Sequence, residues 1–381
     1  LIYIREKIYL IKLIRIIIFV SLKVKFLFIN SNLTIKLKLY TMPSQTKDDI
    51  LNIILELDSD EEDDIEQMVK QSNKQYKNIV LSGGGLLGLS YLGFHKYITD
   101  NTPCGFEDIE NILGVSAGAI YGLYIVCGLD YKKIKNEIID LDLDIILNVT
   151  VDDIINIKDS KGVLDPIILK QNIIKPLLAY DIDPNITFQQ IYEKYNKNIL
   201  IGTTNLSKMQ FEIFGKENYP DMSVVDAITI SSCVPLIFKP IIFNNMVYVD
   251  GGVINKFPLD FFDQNNIGIN TNYTHIYEDI QKYYLKDTSL DTTFGIIISN
   301  NLDYIFPDYV ERLDMFSYVS IIFYLLCKRE DKLITNYKKH VCTFEIPHEF
   351  LTSSKIDFTP LDLDNSIDIC YNYIDNYLKD S

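Results

Sequence analysis

Three short segments of this 381-residue chain hold residue types that together can carry out acyl transfer. Gly83-Gly84-Gly85-Leu86-Leu87-Gly88 can aim backbone N–H groups at a developing negative charge. Gly114-Val115-Ser116-Ala117-Gly118 sets a serine between glycines, the spacing of a nucleophile elbow. Asp250-Gly251-Gly252 supplies a carboxylate at a turn. Each is weak alone. Gly83, Gly85 and Gly88 also fit a dinucleotide fingerprint, with acids downstream at Asp100, Glu107 and Asp108. G-x-S-x-G recurs by chance, and Asp-Gly-Gly is commonly only a turn. Together they provide an oxyanion hole, a nucleophile and a base. None of the four histidines (His95, His275, His340, His348) adjoins a motif, so a Ser-His-Asp relay is the lesser alternative.

Such groups need a scaffold that brings strand ends together. Residues 78–82 read as a buried strand stopping at the glycines, and 86–100 as a helix with Leu89, Leu92, Gly93 and Tyr97 at helical spacing. A second strand, 112–115, runs into a small-residue helix, 116–127. Residues 129–195 read as mostly helical, with loops at 161–166 and 181–184. Strands follow at 198–203 and 211–214, a helix at 224–233, and a strand at 246–249 that delivers Asp250. Residues 293–299 and 341–346 read as further strands, and 365–378 as a closing helix. This alternation predicts an α/β domain with a mainly parallel sheet and helices on both faces. The Ile- and Leu-rich stretch 145–178 reads either as a lid over an acyl pocket or as core helices, and 318–326 as a buried helix.

Charge narrows the partners. Residues 1–41 hold eight Lys or Arg against one acid, Glu6, and their apolar runs are broken by Arg15 and Lys23. That pattern matches neither a membrane span nor a signal peptide. The chain begins at Leu1 and its first methionine is Met42, so residues 1–41 are expected to be upstream sequence; a membrane-surface segment is the alternative. From Met42 onward, 28 basic residues face 51 acidic ones, a net charge of about −23. An acidic block at 58–64 marks residues 42–75 as a flexible arm ahead of the globular part, 76–381. Such a body repels nucleic acid and anionic bilayers. The six cysteines lack CxxC pairing and read as buried thiols in a reducing compartment, with no zinc site. Asp140, Asp142 and Asp144 form no calcium loop, because Ile145 stands where an EF-hand needs glycine. The bias toward Ile, Asn, Lys and Tyr is that of an AT-rich genome, such as that of a large DNA virus or an intracellular parasite.

Further segments extend the pattern. Gly202-Thr203-Thr204-Asn205-Leu206-Ser207, the run from Ser231 to Pro240, the run from Val247 to Pro258, and Gly162-Val163-Leu164-Asp165-Pro166 followed by Thr187-Phe188 accompany the three motifs. From about Lys77 to Asp263 the chain resembles the patatin-like phospholipase family, and more faintly through Ser299 and over 358–378. The resemblance implies a three-layer α/β/α fold and a Ser-Asp dyad that cleaves lipid acyl esters without metal or cofactor. Carried onto this chain, Ser116 is the nucleophile, Asp250 the base, and Gly83, Gly84 and Gly85 the oxyanion-hole donors. Gly88, Gly114, Gly118, Gly251 and Gly252 complete the motifs. The implied substrate is a phospholipid or lysophospholipid, met in transient contact with a membrane surface, by a protein of the cytoplasm (the host's, if viral) that is not secreted. Leu87 stands where the family commonly has Arg or Lys. That departure favours neutral or zwitterionic lipids over acidic ones. It also motivates the alternative of a catalytically weak lipid- or partner-binding protein.

Overall fold

The computed structural model describes residues 75–101, 106, 108–139, 159–266, 275–300, 337–346 and 360–380. The expectations for residues 1–74, 145–158 and 318–326 lie outside these residues. In chain order the elements are β1 (Asn78–Leu81), α1 (Tyr91–Asn101), β2 (Asn111–Val115), α2 (Ala117–Val126), α3 (Tyr131–Ile139), β3 (Gly162–Leu164), α4 (Pro166–Leu178) and α5 (Phe188–Tyr195). There follow β4 (Asn198–Asn205), β5 (Gln210–Phe214), α6 (Val224–Ser231), β6 (Leu236–Phe238), β7 (Ile241–Phe243), β8 (Met246–Asp250), α7 (His275–Tyr284), β9 (Thr293–Asn300), β10 (Val341–Ile346) and α8 (Pro360–Asp380).

Eight strands form one sheet in the order β10-β9-β1-β2-β4-β8-β7, with β5 also on β4. The pairs β10–β9, β9–β1, β1–β2 and β2–β4 are parallel, whereas β4–β5, β4–β8 and β7–β8 are antiparallel. The parallel strands are apolar along nearly their whole length because both faces are covered. Ile79, Leu81, Ile112, Ile199, Ile201 and Ile296 pack into one cluster with residues of α1, α2, α6 and α8. The alternate residues Val80, Leu113, Val115, Leu200 and Ile297 pack into a second, with Phe257, Leu259, Phe261 and Ile280 and Tyr284 of α7. The result is the expected three-layer α/β/α architecture.

An asparagine ladder ties the starts of four neighbouring strands. Asn198 Nδ2 donates to Asn111 Oδ1 and Asn111 Nδ2 to Asn78 Oδ1, both at 2.8 Å, and Asn78 Nδ2 donates to Thr293 Oγ1 at 2.9 Å. The same residues are register partners across β4, β2, β1 and β9. A slip of one residue in any strand breaks the ladder, so these amides fix the register that aligns the strands' C-terminal ends.

Local readings differ from the structure at three places. The helix expected at 86–100 opens as a 3₁₀ turn, Gly85–Ser90, before α1 begins. Its Gly88 is pressed against the elbow, where an added Cβ would fall 2.3 Å from Ala117 Cβ. The loop expected at 161–166 contains strand β3, paired with β6 as a separate parallel ribbon. Neither strand of that ribbon has more than three residues, so tertiary pairing rather than periodicity makes them. β7, unforeseen for the same reason, closes the sheet as a hairpin with β8. In the stretch read as lid or core helices, α4 buries Ile173 and Leu177 in the main core while Ile167 and Leu178 on it stay exposed.

Candidate active site

Ser116 sits where β2 turns into α2, with φ 52° and ψ −123°. That conformation is strained for any residue but glycine, by on the order of 1–3 kcal/mol, and persists only if its surroundings hold it. They do. Ser116 N–H donates to Ser231 Oγ at 2.8 Å, and Ser231 Oγ–H donates to Gly202 O at 2.7 Å. On the other side, a Cβ on Gly118 would lie 2.3 Å from Leu81 O. Glycine there lets α2 start directly on the end of β1, which leaves the turn no room to relax.

The partner carboxylate arrives from the opposite direction. β4 pairs with β2 over Asn198–Gly202 and with β8 over Thr203–Asn205, while β5 covers Ile201–Asn205. A strand edge pairs with one neighbour at a time, so β2 and β8 share the edge that β5 leaves free. They run toward each other along it. Val115 ends opposite Gly202 and Asp250 ends opposite Thr203, one residue further on. The ends therefore abut, and an added Cβ on the next residue, Gly251, would lie 2.9 Å from Val115 Cγ1. This head-to-head meeting brings together two residues 134 positions apart in sequence.

Asp250 is almost fully buried, at 2% exposure. Its Oδ1 accepts from Gly252 N–H at 2.7 Å and its own N–H donates to Cys233 O at 2.8 Å. Oδ2 has no hydrogen-bond partner. Burial raises the carboxyl from an ordinary 3.8 to about 6, against the opposing pull of the Ser116 hydroxyl and of Gly252 N–H. The nearby serine hydroxyl is thus felt by the carboxylate, whose second oxygen is free to take a proton.

The glycine loop behaves differently at its three positions. Gly83 N–H, expected in the oxyanion hole, donates to Lys256 O at 2.8 Å. What Gly83 contributes is proximity, since a Cβ there would lie 3.5 Å from Ser116 Cβ. Gly84 and Gly85 open the 3₁₀ turn, and their N–H groups have no acceptor among the described residues. Ser82 anchors the loop: its Oγ accepts from Ile298 N–H at 2.9 Å, and its carbonyl accepts from Tyr91 Oη at 2.8 Å. Leu87, at the position where a cation is common, is half-buried and packs on the main core.

Sequence reasoning missed the bracing roles of Ser231, Cys233, Ser82 and Tyr91. Ser231 and Cys233 stood in a recognisable segment at the end of a helix, but only the fold shows that the helix end reaches the elbow. Among the described residues no histidine hydrogen-bonds to Ser116 or Asp250: His95 is buried in α1, and His340 lies 4.0 Å from Asp291. Nor, among them, does any cluster of His, Cys, Asp or Glu suit a metal ion, and Cys127, Cys233, Cys342 and Cys370 are buried free thiols.

The chain is similar in sequence to several known proteins. Residues 79–263 match the family model described as patatin-like phospholipase. Over 261 residues the chain is 26% identical to "Probable lipid hydrolase 463L" of Invertebrate iridescent virus 6, covering 64% of this chain and 86% of that protein. Over 198 residues it is 31% identical to the uncharacterized protein R571 of Acanthamoeba polyphaga mimivirus, covering 51% of this chain and 64% of the relative. Among solved structures, VipD from Legionella pneumophila aligns with a TM-score of 0.44 at 15% identity, covering 80% of this chain and 67% of that one. Residues 79–263 thus carry a patatin-like phospholipase domain.

Proposed function

We propose that this protein is a lipid acyl hydrolase of phospholipase A or lysophospholipase type, working through Ser116 and Asp250. The observation that carries the reading is the abutting ends of β2 and β8, which set a strained serine turn against a buried carboxylate with one free oxygen. Ser116 Oγ attacks the ester carbonyl while its proton passes to Asp250 Oδ2. The carbonyl oxygen gains the negative charge and is held by the N–H groups of Gly84 and Gly85. Collapse expels the lysolipid or glycerol oxygen, which takes the proton from Asp250, and leaves an acyl-serine. Water then gives a proton to Asp250, attacks the acyl carbon, and releases the fatty acid as Ser116 is reprotonated. No step calls for a metal or cofactor. Leu87 places an apolar side chain where a cation would greet an acidic headgroup, and the chain's net charge of −16 acts in the same direction. Both support neutral or zwitterionic lipids as substrates. Contact with a membrane surface is then transient and peripheral; among the described residues no helix is long and apolar enough to cross a membrane.

The test is fatty-acid release from phosphatidylcholine and lysophosphatidylcholine. Ser116→Ala and Asp250→Asn should each lower turnover by about 10³-fold or more with the domain still folded. A fluorophosphonate should label wild type and not Ser116→Ala. Turnover retained by either variant sinks the dyad. A folded wild type that neither labels nor turns over favours the binding-protein alternative.

A further inference from the structure

Exposed apolar side chains gather on the elements that carry or brace Asp250. Among the described residues six aliphatic side chains are strongly exposed, and four of them are Leu206, Met209, Leu236 and Ile242. Met209 is 81% and Ile242 74% exposed, more than any other large hydrophobic residue described. Their placement follows from register. β4 passes the level of Ser116 at Gly202 and continues to Asn205, so the β4–β5 turn lies on the order of 10 Å beyond the nucleophile. Leu206 N–H donates to Val247 O at 2.8 Å, and Ile242 faces Val247 across the β7–β8 hairpin. Leu206, Val247 and Ile242 thus form one row at that end of the sheet, beside Met209 in the turn.

Two further observations say what meets this row. Met209 and Leu236 have φ of 54° and 69°. Glycine or asparagine would be less costly at such a backbone, so these apolar side chains stand in water against the local preference. The segment that carries Leu236 and Ile242 is also free of acid in an acidic chain. From Ala227 to Val249 no Asp or Glu occurs, although 52 of the 381 residues are acidic. The cations here are matched: Lys208 bonds to Glu212 at 2.8 Å, and Lys239 lies 3.7 Å from Asp165. An apolar rim whose few charges are paired suits a zwitterionic lipid surface and offers little to an anionic one.

The geometry points to a lipid-docking rim: the β4–β5 turn and the β7–β8 hairpin seat on a zwitterionic lipid surface, with Met209 and Ile242 entering it. This rests on the hydrolase reading for its purpose, because the rim would hold the Ser116–Asp250 pair against its substrate. It is tested separately, by flotation of the full chain with phosphatidylcholine vesicles in a Ser116→Ala background that leaves the lipid intact. Met209→Asp and Ile242→Asp should each weaken vesicle binding at least about tenfold, while Leu178→Asp, on exposed α4, leaves it unchanged. Met209→Asn should also weaken binding while keeping or raising Tm, which separates lost docking from lost folding. Enrichment with phosphatidylserine should not strengthen binding. Wild-type flotation that none of the three rim variants weakens overturns the rim, as does binding that requires phosphatidylserine or no binding at all. A self-associated form that Ile242→Asp dissolves without affecting flotation assigns the row to a second copy of the chain and overturns it too. If the rim variants lose vesicles while wild type hydrolyses no ester, docking stands and the hydrolase reading falls.

Discussion

A carboxylate serves as base toward a hydroxyl only where water is kept from it, and Asp250 meets that condition through burial rather than through a charged neighbour. Two consequences follow at this one residue. In the proposed reaction the ionised form is the base, so kcat should rise about tenfold per pH unit below pH 6 and level off above it. A pH profile of single-turnover acylation checks this, and a limb centred near 4 would mean that Asp250 is solvated in the working enzyme. The same shift acts on stability with a definite sign. The folded carboxyl holds its proton more tightly than the unfolded one, so its contribution is present below about pH 4 and is lost as pH rises through 6. Asp250→Asn keeps the oxygen that accepts from Gly252 N–H and removes the buried charge. It should be more stable than wild type by about 3 kcal/mol at pH 8 and no more stable at pH 4, read from denaturant midpoints. An inactive variant more stable than its parent is the expected signature of a site whose charge is kept for chemistry.

At the scale of elements, the site depends on strand ends arriving at the right level, and the two ends of the sheet divide that labour. The elbow is held at the C-terminal end by Ser231, which bridges Ser116 N–H and Gly202 O. Ser231→Ala leaves both groups buried without that partner and should lower kcat more than it raises KM, because it frees the nucleophile rather than the substrate. At the N-terminal end, Asn111 sits in the middle of the asparagine ladder, bonded to Asn78 and Asn198. Asn111→Ala strands an amide on each side and should cost about 1–3 kcal/mol of stability with kcat nearly unchanged, since the elbow lies at the other end of β2. A loss of kcat as large as that of Ser231→Ala would show that the register itself is adjustable. Neither role could be taken from the sequence. Asn78, Asn111 and Asn198 are distant in the chain and mutually aligned only by parallel pairing. Ser231 looks like any serine at a helix end until the elbow is placed beside it.

For the whole molecule, what was legible is what depends on residue type and short spacing. Ser116 between two glycines and Asp250 before two more marked the two residues that the fold brings together, and the apolar runs of β1, β2, β4 and β9 announced a sheet buried on both faces. What depends on distant chain meeting distant chain was not: the β3–β6 ribbon, the capture of Gly83 N–H by Lys256 O, and the abutting ends of β2 and β8. His95 belongs with these. Its place on α1 suggested no more than a helix residue, yet the fold buries it beside Leu129 and Asp130 with Nδ1 unpartnered. Burial lowers its pKa from 6.5 to about 4, against the weaker pull of the Leu129 backbone and Asp130. The neutral ring thus contributes stability that is full above pH 6.5 and lost as pH falls through 4, on the order of 3 kcal/mol. That trend opposes the one set by Asp250 over nearly the same range, so the wild-type profile between pH 4 and 6.5 should be flatter than either group alone would make it. Removing one should expose the other. In an Asp250→Asn background, Tm should fall steadily as the pH is lowered from 6.5 to 4, and adding His95→Gln should remove most of that fall. An unchanged slope in the double variant would mean that His95 stays neutral in the unfolded chain too, or finds water in the folded one.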